Sequence, residues 1–231
     1  MFVKIILIAL VGGLLCLDRV FIQAMISRPI IIAPVIGIIL GDPYAGLIIG
    51  AILELFWIDR VPIGIYIPPN DSIAAALAAS TAILTSQALG IVTKELIALS
   101  ILLAIPFGIL AKKMDVKIIE SNNVLSDQAL DDAKALNIRA IERKTYLGLA
   151  KVSIFYIGLL LILQLIFIPV IIWIYPKMPL QVNTMLSLTY YFLPLVGIAV
   201  ALNTIKLRRA IPVFCAIFLV VVMAMEFFHV F

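Results

Sequence analysis

Glu54 sits inside GLIIGAILELFWI, an apolar run that gives its carboxylate no polar neighbour on the N-terminal side for ten residues. An ionisable group within a membrane segment costs roughly 2.5–3.5 kcal/mol on insertion scales, and it is kept where it pairs with a counter-charge or faces a polar cavity. Two chemistries fit Glu54. Its carboxylate can accept hydrogen bonds from vicinal sugar hydroxyls, or it can hold the guanidinium of Arg28 or Arg60. Asp18, Arg19, Arg28, Asp42, Asp59, Arg60 and Asp71 also lie in or beside apolar sequence, whereas the last third of the chain has only Glu226 in such a place. A polar pathway is therefore expected to be built mainly from residues 18–72. Asp42 falls in Gly41-Asp42-Pro43, where an aspartate binds its own backbone or serves a site. Asn70-Asp71 follows Pro68-Pro69 and precedes an alanine-rich run; it caps that helix or aims its amide and carboxylate into a cavity. The adjacent pairs Asp18-Arg19 and Asp59-Arg60 read as markers of membrane boundaries.

Catalytic chemistry is hard to assemble from the remaining residues. His229 is the sole histidine, near the C-terminus, and reads as a membrane-interface residue. Cys16 and Cys215 both lie in apolar runs and read as small hydrophobes. No nucleophile–base pair, metal-ligand cluster or glycine-rich phosphate loop is apparent. The expectation is a non-enzyme with no cofactor and no metal.

The elements that must position these groups are membrane segments. Of 231 residues, 65% are hydrophobic and 13% charged, too little polar sequence to cover a soluble core of this size. A span of about 30 Å needs about 20 helical residues. The opening run 1–17 has no small-x-small cleavage site after it and is taken as a first segment rather than a signal peptide. Runs 72–92, 95–111, 152–175, 183–205 and 210–231 are span candidates, with 152–175 the clearest. Runs 29–41 and 44–58 are too short to cross. Short apolar segments interrupted by Gly and Pro often re-enter in transporters; two short tilted helices are the other possibility. Pro62, Pro68 and Pro69 break the chain after them. The fold expected is all-α and polytopic, one membrane transport domain over residues 1–231, with about six to eight membrane segments. Some are re-entrant. A possible inverted repeat is hinted at by Pro34-Val-Ile-Gly37-Ile and Pro194-Leu-Val-Gly197-Ile.

Residues 112–151 form the one long polar stretch and hold 8 of the 17 Lys/Arg and 6 of the 13 acids. Basic loops stay in the cytoplasm, so 112–151 is expected to be a cytoplasmic linker between membrane halves 1–111 and 152–231. Leu, Ala and Ile among its charges suggest a surface helix over 125–145. Lys206, Arg208 and Arg209 fall on the same side, two spans later; Lys177 and Phe231 fall outside. Basic residues confined to short loops, with no single basic face, argue against nucleic-acid binding.

The ordered set Arg28-Pro29, GIILGD (37–42), GLIIG (46–50), Glu54 and PPN (68–70) resembles the membrane subunit IIC of the mannose/fructose/sorbose branch of the bacterial sugar phosphotransferase system. The similarity runs through about residues 15–90 and is looser beyond. The resemblance implies a sugar-translocating permease subunit in the bacterial inner membrane. It would act in an oligomeric complex with a second membrane subunit, IID, and with cytoplasmic IIA and IIB subunits that carry the phosphoryl group. The substrate would be a hexose or amino-hexose. Glu54 and Asn70, with Asp71 beside them, would contact the sugar. Arg28, Pro29, Gly41, Asp42 and Pro69 would shape the re-entrant hairpin. Two departures stand out. Thr189-Tyr190-Tyr191 occupies a place where the family has a Gly-Gly pair, and the chain ends soon after one last span. A divergent, non-transporting paralogue with a regulatory or scaffold role is the first alternative, and another small-solute transporter the second.

Overall fold

The computed structural model describes residues 1–60, 66–204 and 212, 215, 216, 219 and 220. Pro62, Lys206, Arg208, Arg209, Glu226, His229 and most of the run 210–231 lie outside the described residues. Seven α-helices form among those described: α1 (Phe2–Cys16), α2 (Pro29–Leu40), α3 (Pro43–Phe56), α4 (Asp71–Leu89), α5 (Lys94–Lys134), α6 (Ile138–Ile174) and α7 (Leu180–Thr204). Short 3-10 turns extend α1 through Arg19 and α6 through Lys177. Four of these helices, α4 to α7, are long and apolar enough to cross a membrane.

The two short runs become α2 and α3, of 12 and 14 residues. At 1.5 Å per residue each is about 20 Å long, less than the hydrocarbon thickness. Their turn is written in the sequence. Proline opens each helix, where its fixed φ suits the first turn and no amide is needed. Gly41 ends α2 at φ +89, a conformation that strains any residue with a Cβ. Asp42 then caps α3 by accepting a hydrogen bond from the Ala45 amide at 3.0 Å. The arms close on small residues. A Cβ added at Gly46 would lie 2.5 Å from the Ala33 carbonyl oxygen, and one at Gly50 would lie 2.6 Å from that of Pro29. The spacing Gly46-x-x-x-Gly50 is thus a backbone-contact face.

Helix α4 is the centre of the molecule. It packs against α1, α2, α3, α5 and α6, and every residue from Asp71 to Ser86 is buried. Its sequence, rich in Ala, Ser and Thr, would make a poor lipid-facing span. Buried among other helices, its small side chains let five neighbours approach.

Two boundaries differ from the sequence reading. Helix α5 does not end near residue 111 but runs unbroken through the charged stretch to Lys134. Lys and Glu are good helix formers, so a change from apolar to charged sequence moves the helix into water without ending it. The surface helix expected over 125–145 is instead two helix ends joined at residues 135–137, with Asn137 capping α6 through the Ala140 amide at 3.2 Å. Helices α5 and α6 form an extended hairpin tied by Lys144 to Asp132 and by Lys151 to Ser121. Pro34 and Pro194 both lie inside helices, and both Gly37 and Gly197 meet α3, at Gly46 and Leu55 respectively.

Candidate functional site

The loop from Val20 to Arg28 joins α1 to α2 and is bound to the start of α4. Gln23 and Met25 adopt positive φ, 58 and 63 degrees. Asp18, which is buried, holds the loop in that form. Its carboxylate accepts from the Ala24 amide at 2.8 Å and from both the amide and the hydroxyl of Ser27 at 3.1 Å. The Ser72 hydroxyl in turn donates to the Ser27 carbonyl at 2.7 Å. This anchoring delivers Arg28, the N-cap of α2, to the N-terminus of α4 and to the end of the hairpin opposite its turn, where α3 finishes.

A four-membered charge network results. Arg28 Nε donates to Glu54 Oε1 at 2.7 Å, and Arg28 Nη2 donates to the same oxygen. Arg28 Nη1 lies 3.8 Å from Asp71 Oδ2, and Arg19 Nη1 donates to Asp71 Oδ1. Two guanidinium and two carboxylate groups therefore neutralise one another where α1, the hairpin and α4 meet. Glu54 is 18% exposed and Arg28 19%, against 7% for Asp71, so the Glu54–Arg28 end is the open one. Glu54 Oε2 has only the Ile30 amide, at 3.4 Å, and keeps capacity for further donors.

Asn70 is fully buried and uses its whole side chain. Oδ1 caps α4 by accepting from the Ile73 amide at 3.0 Å, and Nδ2 donates to Asp115 Oδ2 at 2.9 Å. Its own amide donates to the Gly108 carbonyl at 2.8 Å, drawing α5 against the start of α4. Pro69 offers its carbonyl to Arg19 Nη2 at 3.4 Å. Among the named sequence candidates, the structure joins Arg28, Glu54, Asp71, Asn70 and Pro69 in one assembly. Pro29, Gly41 and Asp42 belong to the hairpin. Of the two guanidinium groups open to Glu54 at the outset, Arg28 is the one that holds it. Asp59 and Arg60 pair with each other at 3.3 Å at the periphery.

Sequence reasoning missed two members. Arg19 was read with Asp18 as a boundary marker, yet it is the direct partner of Asp71. Asp115 was counted within the polar linker, yet it is buried, 6% exposed. Only its spacing could have revealed it: Asp115 lies on the same stripe of α5 as the buried residues Ala104, Gly108 and Ala111.

A cavity of about 470 Å³ opens beside this assembly, between the chain before α4, the second half of α5 and the start of the apolar part of α6. Arg19, Asp115, Asn122 and Tyr156 contribute its polar wall, and Tyr66 and Ile118 part of its apolar one. No group of three or more His, Cys, Asp or Glu side chains suited to a metal occurs among the described residues.

Comparison with known proteins gives these features a context. The family model described as the sorbose-specific IIC component of the phosphotransferase system matches residues 2–230. The putative N-acetylgalactosamine permease IIC component 2 of Escherichia coli K12 is 28% identical over 91 residues, 38% of this chain and 68% of that protein. The sorbose-specific EIIC component of Lacticaseibacillus casei is 31% identical over 85 residues, 37% of this chain and 31% of that protein. The mannose-specific EIIC component of E. coli K12 is 26% identical over 130 residues, 56% of this chain and 46% of that protein. The matched stretches thus span only a third to a half of the last two relatives. A solved structure of the mannose transporter ManYZ with microcin E492 superposes with a TM-score of 0.64 at 20% identity, covering 100% of this chain and 95% of that one.

Proposed function

The chain belongs to the sorbose-specific IIC component family of the phosphotransferase system, and from that premise we propose that it is the sugar-translocating subunit of such a system. The proposed substrate is a hexose or amino-hexose. Sugar enters at the open edge of the charge network, where Glu54 accepts from sugar hydroxyls and Arg28 donates, while Asn70 and Asp71 hold the floor. The observation that carries this reading is the Arg28–Glu54 pair, placed at the end opposite the turn of a helical hairpin too short to span the bilayer, and left partly exposed. A neutral polyol needs many hydrogen-bonding groups and no net charge, and a neutralised ion pair supplies both.

The partners proposed are a membrane IID subunit and cytoplasmic IIA and IIB subunits that carry the phosphoryl group. The location is the bacterial inner membrane, multi-pass, with the α5–α6 hairpin in the cytoplasm. That orientation is tested at Leu136, 87% exposed at the hairpin tip. In Leu136→Cys, with Cys215 replaced by serine, an impermeant thiol reagent should label the protein in inverted vesicles and not in intact cells. Labelling of intact cells would reverse the topology.

The function itself is tested by uptake. Cells lacking their own mannose-type IIC, given this chain with its cognate partners, should accumulate one labelled hexose or amino-hexose, and Glu54→Gln should abolish it. Equal uptake by Glu54→Gln would remove that residue from the site. A second reading, a scaffold that no longer transports, has one observation in its favour. Tyr191 bonds Lys94 and receives its ammonium over the ring at 4.9 Å, fastening α7 to the start of α5 where smaller residues would leave the helices free. A complex that assembles but takes up no sugar would favour it.

A further inference from the structure

Asp115 lies outside the ion pairs of the charge network, yet it is buried where the start of α4 meets α5 and α6. A buried carboxylate is costly unless hydrogen bonds serve it. Two groups do so. Asn70 Nδ2 donates to its Oδ2 at 2.9 Å, and the Tyr156 hydroxyl of α6 is a hydrogen-bonding neighbour of the same carboxylate. Oδ1 is enclosed by protein. Asp115 is therefore placed to hold these partners rather than to touch a sugar.

Of the two partners, Asn70 is the one that leads to the sugar site, and α5 grips it twice. Its amide donates to the Gly108 carbonyl at 2.8 Å, and further along the same helix Asp115 takes its side chain. A Cβ at Gly108 would lie 3.0 Å from the Asn70 carbonyl oxygen, so the two backbones are in close contact. Held in this way, Asn70 Oδ1 caps α4 at the Ile73 amide. The next residue, Asp71, opens α4. Its Oδ1 accepts from Arg19 and from the Ser72 amide, and its Oδ2 lies 3.8 Å from Arg28. Arg28 in turn donates to Glu54 at 2.7 Å. A cap side chain that let go of the Ile73 amide would leave the first turn of α4 free to fray, and the Asp71 carboxylate sits on that turn. The path from Asp115 to the sugar-facing pair therefore runs through Asn70 and the first turn of α4.

We propose that Asp115 is a positioning residue for sugar binding: by holding the Asn70 side chain it fixes the first turn of α4, and with it the Asp71 carboxylate and the Arg28 guanidinium beside Glu54. The proposal rests on the permease reading, whose site it completes from the side of α5. It also ties that site to the long helical hairpin. Asp115 stands at the base of the part of α5 that runs on to Lys134, and Tyr156 stands beside it on α6. A shift of these two helices reaches the sugar site through Asn70.

The test uses the purified chain in complex with its membrane partner and a panel of labelled hexoses and amino-hexoses. Asp115→Leu removes the acceptor and should weaken binding of the preferred sugar roughly tenfold, the effect of one lost hydrogen bond. Asp115→Asn keeps an acceptor for Asn70 and should restore wild-type affinity. Adding Asp115→Leu to Asn70→Ala should weaken binding no further than Asn70→Ala alone, because Asp115 acts through Asn70. Hydrogen exchange should quicken in Asp115→Leu over the first turn of α4 and not over its buried middle, a local change that general loss of stability would not give. If Asp115→Leu does not assemble, Asp115→Glu carries the same test, since it keeps the charge and displaces the acceptor by one methylene; it too should bind sugar more weakly. Wild-type affinity in an assembled Asp115→Leu or Asp115→Glu complex, or losses that add to that of Asn70→Ala, would overturn the positioning role and leave the permease reading standing. Failure of the wild-type complex to bind any sugar in the panel would overturn both.

Discussion

Arg19→Ala is expected to destabilise the protein by roughly 3–5 kcal/mol, towards the lower figure because Arg28 stays within 3.8 Å of the abandoned Asp71 carboxylate. The physics is asymmetric. Arg19 neutralises an Asp71 carboxylate that is buried, whereas Asp71 without it is a buried charge with a distant partner. Thermal unfolding of the purified protein should show the loss directly. Asp71→Asn in the Arg19→Ala background should recover much of it, since the second change removes the charge that the first left uncompensated. If Arg19→Ala melts like the wild type, the network is not holding α1 to α4. Asp71→Asn alone should be milder than Arg19→Ala, because a guanidinium at the cavity wall can reach solvent and a carboxylate beneath it cannot.

The hairpin should be equally intolerant at Gly46. A methyl group there meets the Ala33 carbonyl oxygen at 2.5 Å, a distance that backbone must move to relieve. Gly46→Ala is expected to cost about 1–3 kcal/mol, as overpacking does. Gly46→Leu has no space in either arm and should leave no monodisperse folded protein on size-exclusion chromatography. A leucine variant with native elution and melting temperature would show that the arms do not pack on this face. Gly41, whose Cβ would meet open space, gives a contrast: its substitution strains the backbone without separating the arms.

These two expectations differ in how visible they were in the sequence. The prolines, Gly41 and Asp42 of the hairpin were legible because each has a local reason: proline opens or interrupts a helix, and a Gly-Asp-Pro sequence turns the chain; the close approach at Gly46 and Gly50 was not read from their spacing and shows only in the folded arms. Glu54 and Arg28 were legible because a charge in an apolar run must find a partner. Arg19 was not, because a charge at the end of an apolar run is ordinarily a membrane boundary, and only the folded return of Asp71 to that place gives it a role. Asp115 and Asn122 were hidden for a further reason. They lie in a stretch so rich in charge that burial of one side chain leaves no trace in composition. The path of α5 shows the same limit: a membrane-length template stops at the first lysines, while the helix itself has no cause to stop before the turn at residues 135–137. The central burial of α4 was missed because length alone does not tell a lipid-facing span from one enclosed by protein; its signal was the preponderance of Ala, Ser and Thr over Leu and Ile.

The measurement closest to the central claim is equilibrium binding of labelled hexoses and amino-hexoses to the detergent-purified chain with its membrane partner, comparing wild type with Glu54→Gln. The account predicts saturable binding of one sugar by the wild type. It also predicts the loss of that binding in a Glu54→Gln protein that still assembles with its partner. Undiminished affinity in Glu54→Gln would contradict it, because the open edge of the Arg28–Glu54 pair would then have no part in holding the sugar.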